Sequence, residues 1–195
     1  MDFYENSWVN NEIPQIDKSI AELIFQFDLN DKIIDEYLNY KSYSDYTDSG
    51  WNDKDILNFP GPFYTGESDT CGTGIIEAPN NVIFNEHCME FVMIQPRNKT
   101  ELLQLWNAGA CEVLGSYYCN GNKYWTTEKV RYWWKNKDDI LELLKNNDLI
   151  KRNRNQEKRY LHYLDNFAEI DLKKYCYFLD NGYYPSDEKL PEIKN

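Results

Sequence analysis

Ile20, Leu23, Ile24 and Phe27 stand at i, i+3, i+4 and i+7, the spacing of one apolar helix face, which predicts an amphipathic helix over residues 17–27 capped by Asp17. Asn30 or Asp31 opens a second helix that turns Ile33, Ile34, Tyr37 and Leu38 inward. The period fades through KSYSDYTDSGW, and a short apolar set at Ile56, Leu57 and Phe59 stops at Pro60. Val82-Ile83-Phe84 and Phe91-Val92-Met93-Ile94 are β-rich runs joined by a polar segment, so they predict an antiparallel strand pair. Asn98 with Glu101 forms a capping box ahead of Leu102, Leu103, Leu105 and Trp106. Asn120-Gly121 marks a turn, expected within a second small hairpin.

Thr126 caps a helix bearing Val130, Trp133 and Trp134, which are read as core. Asp138 and Asp139 open the next, with Ile140, Leu141, Leu143 and Leu144. Two more helical patterns follow, Tyr160 to Phe167 and Leu172 to Leu179, stopped at Asn181-Gly182, and the tail from Tyr184 is extended. With no repeat and no linker, the expectation is one α+β domain over 1–195, mostly helical, with a small antiparallel sheet around residues 80–125. Its parts are a helical segment (1–60), a Gly-rich loop with the sheet (61–125) and carboxy-terminal helices (126–182).

Charge divides the chain. Residues 1–90 hold 18 acids and 4 lysines, a sum of -14, against -12 for the whole, so the remainder carries +2. No arginine precedes Arg97. A half-chain this acidic repels nucleic acid and anionic lipid and attracts a basic protein. The cluster KRNRNQEKRY at 151–160 is read as a solvated linker or an internal partner of the acidic half. With 16 Tyr, 9 Phe and 6 Trp the chain is rich in aromatics, and because each buried phenol needs a hydrogen-bond partner, many tyrosines are expected at the surface. No apolar run reaches the ~20 residues that span a bilayer, the amino terminus lacks a signal-peptide pattern, and five cysteines suit a reducing compartment, so the expected place is the bacterial cytosol.

GPFYTGESDTCGTG, residues 61–74, packs four glycines into fourteen residues and invites comparison with phosphate-binding loops. Such loops need a lysine for the outer phosphates, and no Lys or Arg lies between Lys54 and Arg97, while Glu67 and Asp69 place negative charge where the anion would sit. The third glycine of a dinucleotide pattern is Glu77, and a calcium loop begun at Glu67 meets Ala78 at its twelfth position. A structural loop is the expectation, with no metal and no cofactor. The cysteines at 71, 88, 111 and 119 lack C-x-x-C spacing and are read as small buried apolar residues. A nucleophilic Cys71, or a general base at His87, is the enzymatic alternative.

The run DEYLNYKSYSDYTDSGW repeats tyrosine every three residues among carboxylates. Rigid rings and charge-assisted acceptors together suit a protein-binding surface. The predicted contact set is Asp35, Glu36, Tyr40, Tyr43, Asp45, Tyr46, Asp48, Trp51, Asp53 and Asp55, with Glu67 and Asp69 of the loop beside them.

GPFYTGESDTCGTG, EAPNNV, EFVMIQPRNKTEL and YWTTEKVRYWW together resemble the immunity proteins of polymorphic or contact-dependent growth-inhibition toxins over residues 61–135. That resemblance implies a non-enzymatic, cytosolic protein that binds one cognate toxin domain, often a basic nuclease, and occludes its active site. It implies no specific contact residue. The rival expectations are a small hydrolase or transferase using Cys71 or His87, and an acidic phage-type inhibitor of a nucleic-acid-binding protein. The second fits less well, because its carboxylates should span the whole chain.

Overall fold

The computed structural model describes residues 12–40, 50–153 and 155–193. Helices carry most of the order: α1 (Lys18–Ile24), α2 (Asp31–Leu38), α3 (Thr73–Glu77), α4 (Lys99–Cys111), α5 (Thr127–Lys135), α6 (Lys137–Leu144), α7 (Asn147–Arg152), α8 (Glu157–Asn166) and α9 (Ala168–Asn181). Four short strands, β1 (Tyr64–Thr65), β2 (Val82–Phe84), β3 (Glu90–Val92) and β4 (Tyr117–Tyr118), complete a mostly helical α+β fold. The predicted sheet is two separate antiparallel pairs. β2 and β3 form the expected one, with Ile83 opposite Phe91. The other is not a hairpin at Asn120-Gly121. β1 crosses from the Gly-rich loop to pair with β4, Tyr64 opposite Tyr118, and Gly121 opens a 3-10 turn instead.

The caps behave as their chemistry dictates. Asn30, Asn98 and Thr126 each accept the backbone N–H three residues on, closing the first turns of α2, α4 and α5. Glu101 departs from the capping box: its carboxylate takes the N–H of Arg97, not that of Asn98. α1 is shorter than its apolar period suggests. Asp17 makes no side-chain cap, and the helix stops at Ile24 because the Asn122 amide captures the carbonyls of Ile24 and Gln26. Phe25 then turns inward to stack on Tyr184, ring centroids 4.4 Å apart, and Phe27 is left 44% exposed rather than buried.

One hydrophobic cluster draws residues from all three segments, among them Ile24, Ile34, Ile83, Phe91, Trp106, Trp133, Trp134 and Phe178. The expectation of many tyrosines at or near the surface is met by Tyr40, Tyr132 and Tyr183, which are exposed, and by Tyr37, Tyr118, Tyr124, Tyr177 and Tyr184, which are half-buried, while five others fill the core. Tyr64, Tyr117, Tyr160, Tyr163 and Tyr175 are all buried, and each hydroxyl donates to an internal acceptor: Asn120, Glu90, the Leu57 carbonyl, Asp171 and Asn122 respectively. Tyrosine is tolerated in this core because loops and helix ends supply acceptors at the right depth. The cysteine expectation changes, since Cys71 and Cys111 are exposed and only Cys119 and Cys176 are buried. Within 151–160, Arg152 donates to the carbonyls of Asn85 and Glu86, Asn153 pairs with the backbone of Phe84, and Arg159 is buried, so this stretch is an internal strut rather than a linker. No helix of the described residues is long and apolar enough to cross a membrane.

Candidate functional site: two clefts flanking residues 51–57

The Gly-rich loop holds its own anions. Glu90 is fully buried, and its Oε1 accepts the N–H groups of Gly74 and Ile75 at 2.7 and 3.3 Å while its Oε2 accepts the Tyr117 hydroxyl at 2.7 Å. Burial pushes the Glu90 carboxyl up, and these three donors oppose the shift. Glu112 takes the N–H of Asp69, Leu114 and Ser116. Asp69 itself is buried and accepts from Cys71 and Val113. The amides that a phosphate loop would offer outward are therefore committed inward. Gly74 must be glycine because a Cβ there would collide with Tyr117 and Glu90. Asp69, predicted as a contact, is instead a brace of the loop.

Residues 50–57 form a strap beside this loop. Gly50 lies so close to the Tyr118 ring that a Cβ cannot fit, and a 3-10 turn over Trp51–Asp53 follows. Trp51 stacks on Tyr124 at 5.2 Å and meets Trp125 and Tyr64 edge-on. Asp55 spends one oxygen on the Leu57 N–H and the other on the Asn85 amide, 2.6 Å away. Trp133 Nε1 donates to the Ile56 carbonyl and Tyr160 to that of Leu57. Asn58, fully buried, joins strap, β1 and β3 by donating to the Asp55 and Thr65 carbonyls and accepting from Thr65 and Val92. These bonds hold Ile56 in place with its side chain outward, 62% exposed.

A cleft lies on each side of the strap. One, about 300 Å³, is lined by Asp53, Asp55, Glu67, Glu86 and His87 with Met89 and Leu143. His87 sits 3.4 Å from Glu86 at its open edge. The other, about 600 Å³, is walled by Trp51, Trp125, Tyr132 and Trp133, with Lys54 and Lys129 beside the rings. Lys54 and Ile56 line both. Burial against the rings pushes the Lys54 ammonium down to about 8; Asp55 works against that shift and Lys129 reinforces it.

The predicted contact residues are thus dispersed. Trp51, Asp53, Asp55 and Glu67 meet at the two clefts, with Asp55 serving as a brace. Asp35, Glu36 and Tyr40 line a separate shallow depression on α2, where Asp35 also accepts the Trp106 indole N–H. Tyr43, Asp45, Tyr46 and Asp48 lie outside the described residues. Lys54, Trp125, Lys129 and Tyr132 escaped the sequence reading. Their signal was available in YWTTEKVRYWW, where Trp125, Lys129 and Tyr132 fall at i, i+4 and i+7 on one side of the α5 start.

Of the enzymatic alternative, His87 lines the acidic cleft, whereas the Cys71 thiol is pushed up, chiefly by the adjacent Asp69 carboxylate. A thiol so placed is slow to ionise. No group of three or more His, Cys, Asp or Glu among the described residues could hold a metal ion. Compared with known proteins, the chain matches no family profile, no curated protein and no solved structure.

Proposed function

We propose that this chain is an immunity protein that binds a cognate toxin domain in the cytosol and blocks its active site, docking through the two clefts that flank residues 51–57. One observation carries the docking surface: a rigid strap presents outward-facing Ile56 between an acidic cleft and an aromatic groove, with predicted contacts Trp51, Asp53 and Glu67 around it. Interfaces gain most from rigid aromatic and aliphatic anchors ringed by polar groups, and this surface has that composition. Asp53, Glu67 and Glu86 suit the Lys and Arg of a basic domain, and their charge speeds its approach. The resemblance over residues 61–135 supports the choice of a toxin as partner, and the acidic first half supports a basic one.

The test is to read the gene directly upstream and, where it encodes a large secreted protein, to co-express that protein's carboxy-terminal domain with the chain. The chain should restore growth, and Ile56→Ala, Asp53→Ala and Glu67→Ala together should abolish protection while leaving the melting temperature of the free chain within a few degrees, because Ile56 is largely exposed. Undiminished protection by the triple variant would remove the clefts from the interface. Absence of any growth rescue by the wild-type chain would remove the toxin.

A further inference from the structure

We infer that Lys54 is a covalent carbonyl-capture site, its side-chain amine condensing with an aromatic aldehyde whose ring lies in the groove against Trp125, Tyr132 and Trp133. This goes beyond the docking role and needs no protein partner.

The geometry is that of an activated amine. The Lys54 Nζ lies 5.0 Å from the Trp125 ring centroid and 5.5 Å from that of Trp51, and its one hydrogen bond is a long one, 3.3 Å, to the Asp55 carbonyl. Among the described residues no carboxylate forms an ion pair with it, although Asp55 is its neighbour in sequence. A second cation stands close by: Lys129 Nζ, fixed by the Tyr124 carbonyl at 2.7 Å, lies 5.2 Å from the same Trp51 ring. An apolar pocket and a neighbouring ammonium are the two circumstances that free a lysine amine for Schiff-base chemistry. With the ammonium at about 8, roughly one Lys54 in ten is neutral at pH 7, far more than an ordinary lysine provides. The groove of about 600 Å³ has room for a substituted ring beside that amine.

The chemistry balances without a cofactor. The ammonium releases a proton to solvent, and the nitrogen lone pair forms a C–N bond to the aldehyde carbon as the carbonyl π pair moves to oxygen. Proton transfer from nitrogen to that oxygen gives the neutral carbinolamine. Its hydroxyl takes a proton from solvent and leaves as water as the nitrogen lone pair forms the C=N bond. The remaining N–H proton returns to solvent, giving R–CH=N–Lys54, which water can hydrolyse back to amine and aldehyde.

Benzaldehyde with cyanoborohydride at pH 7, followed by peptide mapping of the full chain, reads the site directly, because hydride traps the imine as a stable benzyl amine. Lys54 should be modified about tenfold faster than the other lysines, since its larger neutral fraction outweighs its lower basicity. The rate at Lys54 should saturate with benzaldehyde while the others rise linearly. Tyr132→Ala, at a residue 72% exposed and so safe for folding, should raise the half-saturating concentration about fivefold. A Lys54 rate no higher than the lysine average, a linear dependence on benzaldehyde, or a half-saturation unmoved by Tyr132→Ala would each overturn the assignment. These readouts are independent of growth protection, so the capture site and the docking role stand or fall separately.

Discussion

The Gly-rich loop and the strap at 51–57 lie side by side and are built from the same materials, short turns, carboxylates and aromatic rings, yet they are finished in opposite ways. In the loop, Glu90, Glu112 and Asp69 take up backbone N–H groups around them, and the Tyr117 hydroxyl closes the set. Little hydrogen-bonding capacity is left for a visitor. In the strap the backbone is equally well tied, through Asn58, Trp133 and Tyr160, but the side chains of Ile56, Asp53 and Lys54 are turned to clefts. A polar motif that satisfies itself is architecture; a rigid backbone that holds its side chains unsatisfied or apolar at the surface is a place to bind.

Glu90→Ala should break the loop side of this contrast most severely. It strands the N–H groups of Gly74 and Ile75 and the Tyr117 hydroxyl inside the protein and leaves a void, for a loss of about 4 kcal/mol. Denaturant unfolding measures it, and a loss below about 1 kcal/mol would mean that the loop does not depend on its internal anion.

Lys54→Met should act with the opposite sign on the strap side. The folded ammonium is held at about 8 against an ordinary 10.5, so the wild-type chain carries a penalty below pH 8 that disappears as pH rises through 10.5. After discounting for partial exposure, methionine should add about 1 kcal/mol at pH 7 and nothing at pH 11, read as the pH dependence of the difference in melting temperature. A gain that is constant with pH would point to packing rather than charge.

Glu157→Gln sharpens the rule on a third carboxyl. Glu157 is fully buried like Glu90, but no neighbouring residue among those described donates a hydrogen bond to its oxygens. Burial pushes the carboxyl up, and its own backbone N–H and Lys158 only partly oppose that shift. A raised folded carboxyl favours the protonated form, so its contribution to stability falls as pH rises above the ordinary 4.5. Glutamine should therefore stabilise by under about 1 kcal/mol at pH 7 and have no effect near pH 4, by thermal unfolding at the two pH values. Destabilisation at pH 7 would show that Glu157 is served by a donor after all.

Local chemistry was readable along the chain. The caps at Asn30, Asn98 and Thr126, the stop at Gly182 with its positive φ of 82°, and the β2–β3 pair all follow from residues within a few positions of one another. The failures share a cause. α1 ended early because Asn122 reaches it from about a hundred residues away, and the second strand pair joined Tyr64 to Tyr118 across half a hundred. Periodicity registers neighbours in sequence, and these partners are neighbours only in space.

The candidate site shows the same division. The residue types of the candidate surface, acids with tyrosine and tryptophan before position 70, were fixed by the chain itself, as was the poor match of residues 61–74 to a phosphate loop, since no Lys or Arg lies between Lys54 and Arg97. Which acids face outward was decided by folding: Asp69 and Asp55 became braces, Asp35 was bound to Trp106, and Asp53 and Glu67 were left at a cleft. The aromatic groove and Lys54 could come only from tertiary structure, because their walls unite residues 51–56 with residues 125–140. An amine becomes unusual through the rings and charges packed around it, and those are set by distance in space rather than along the chain.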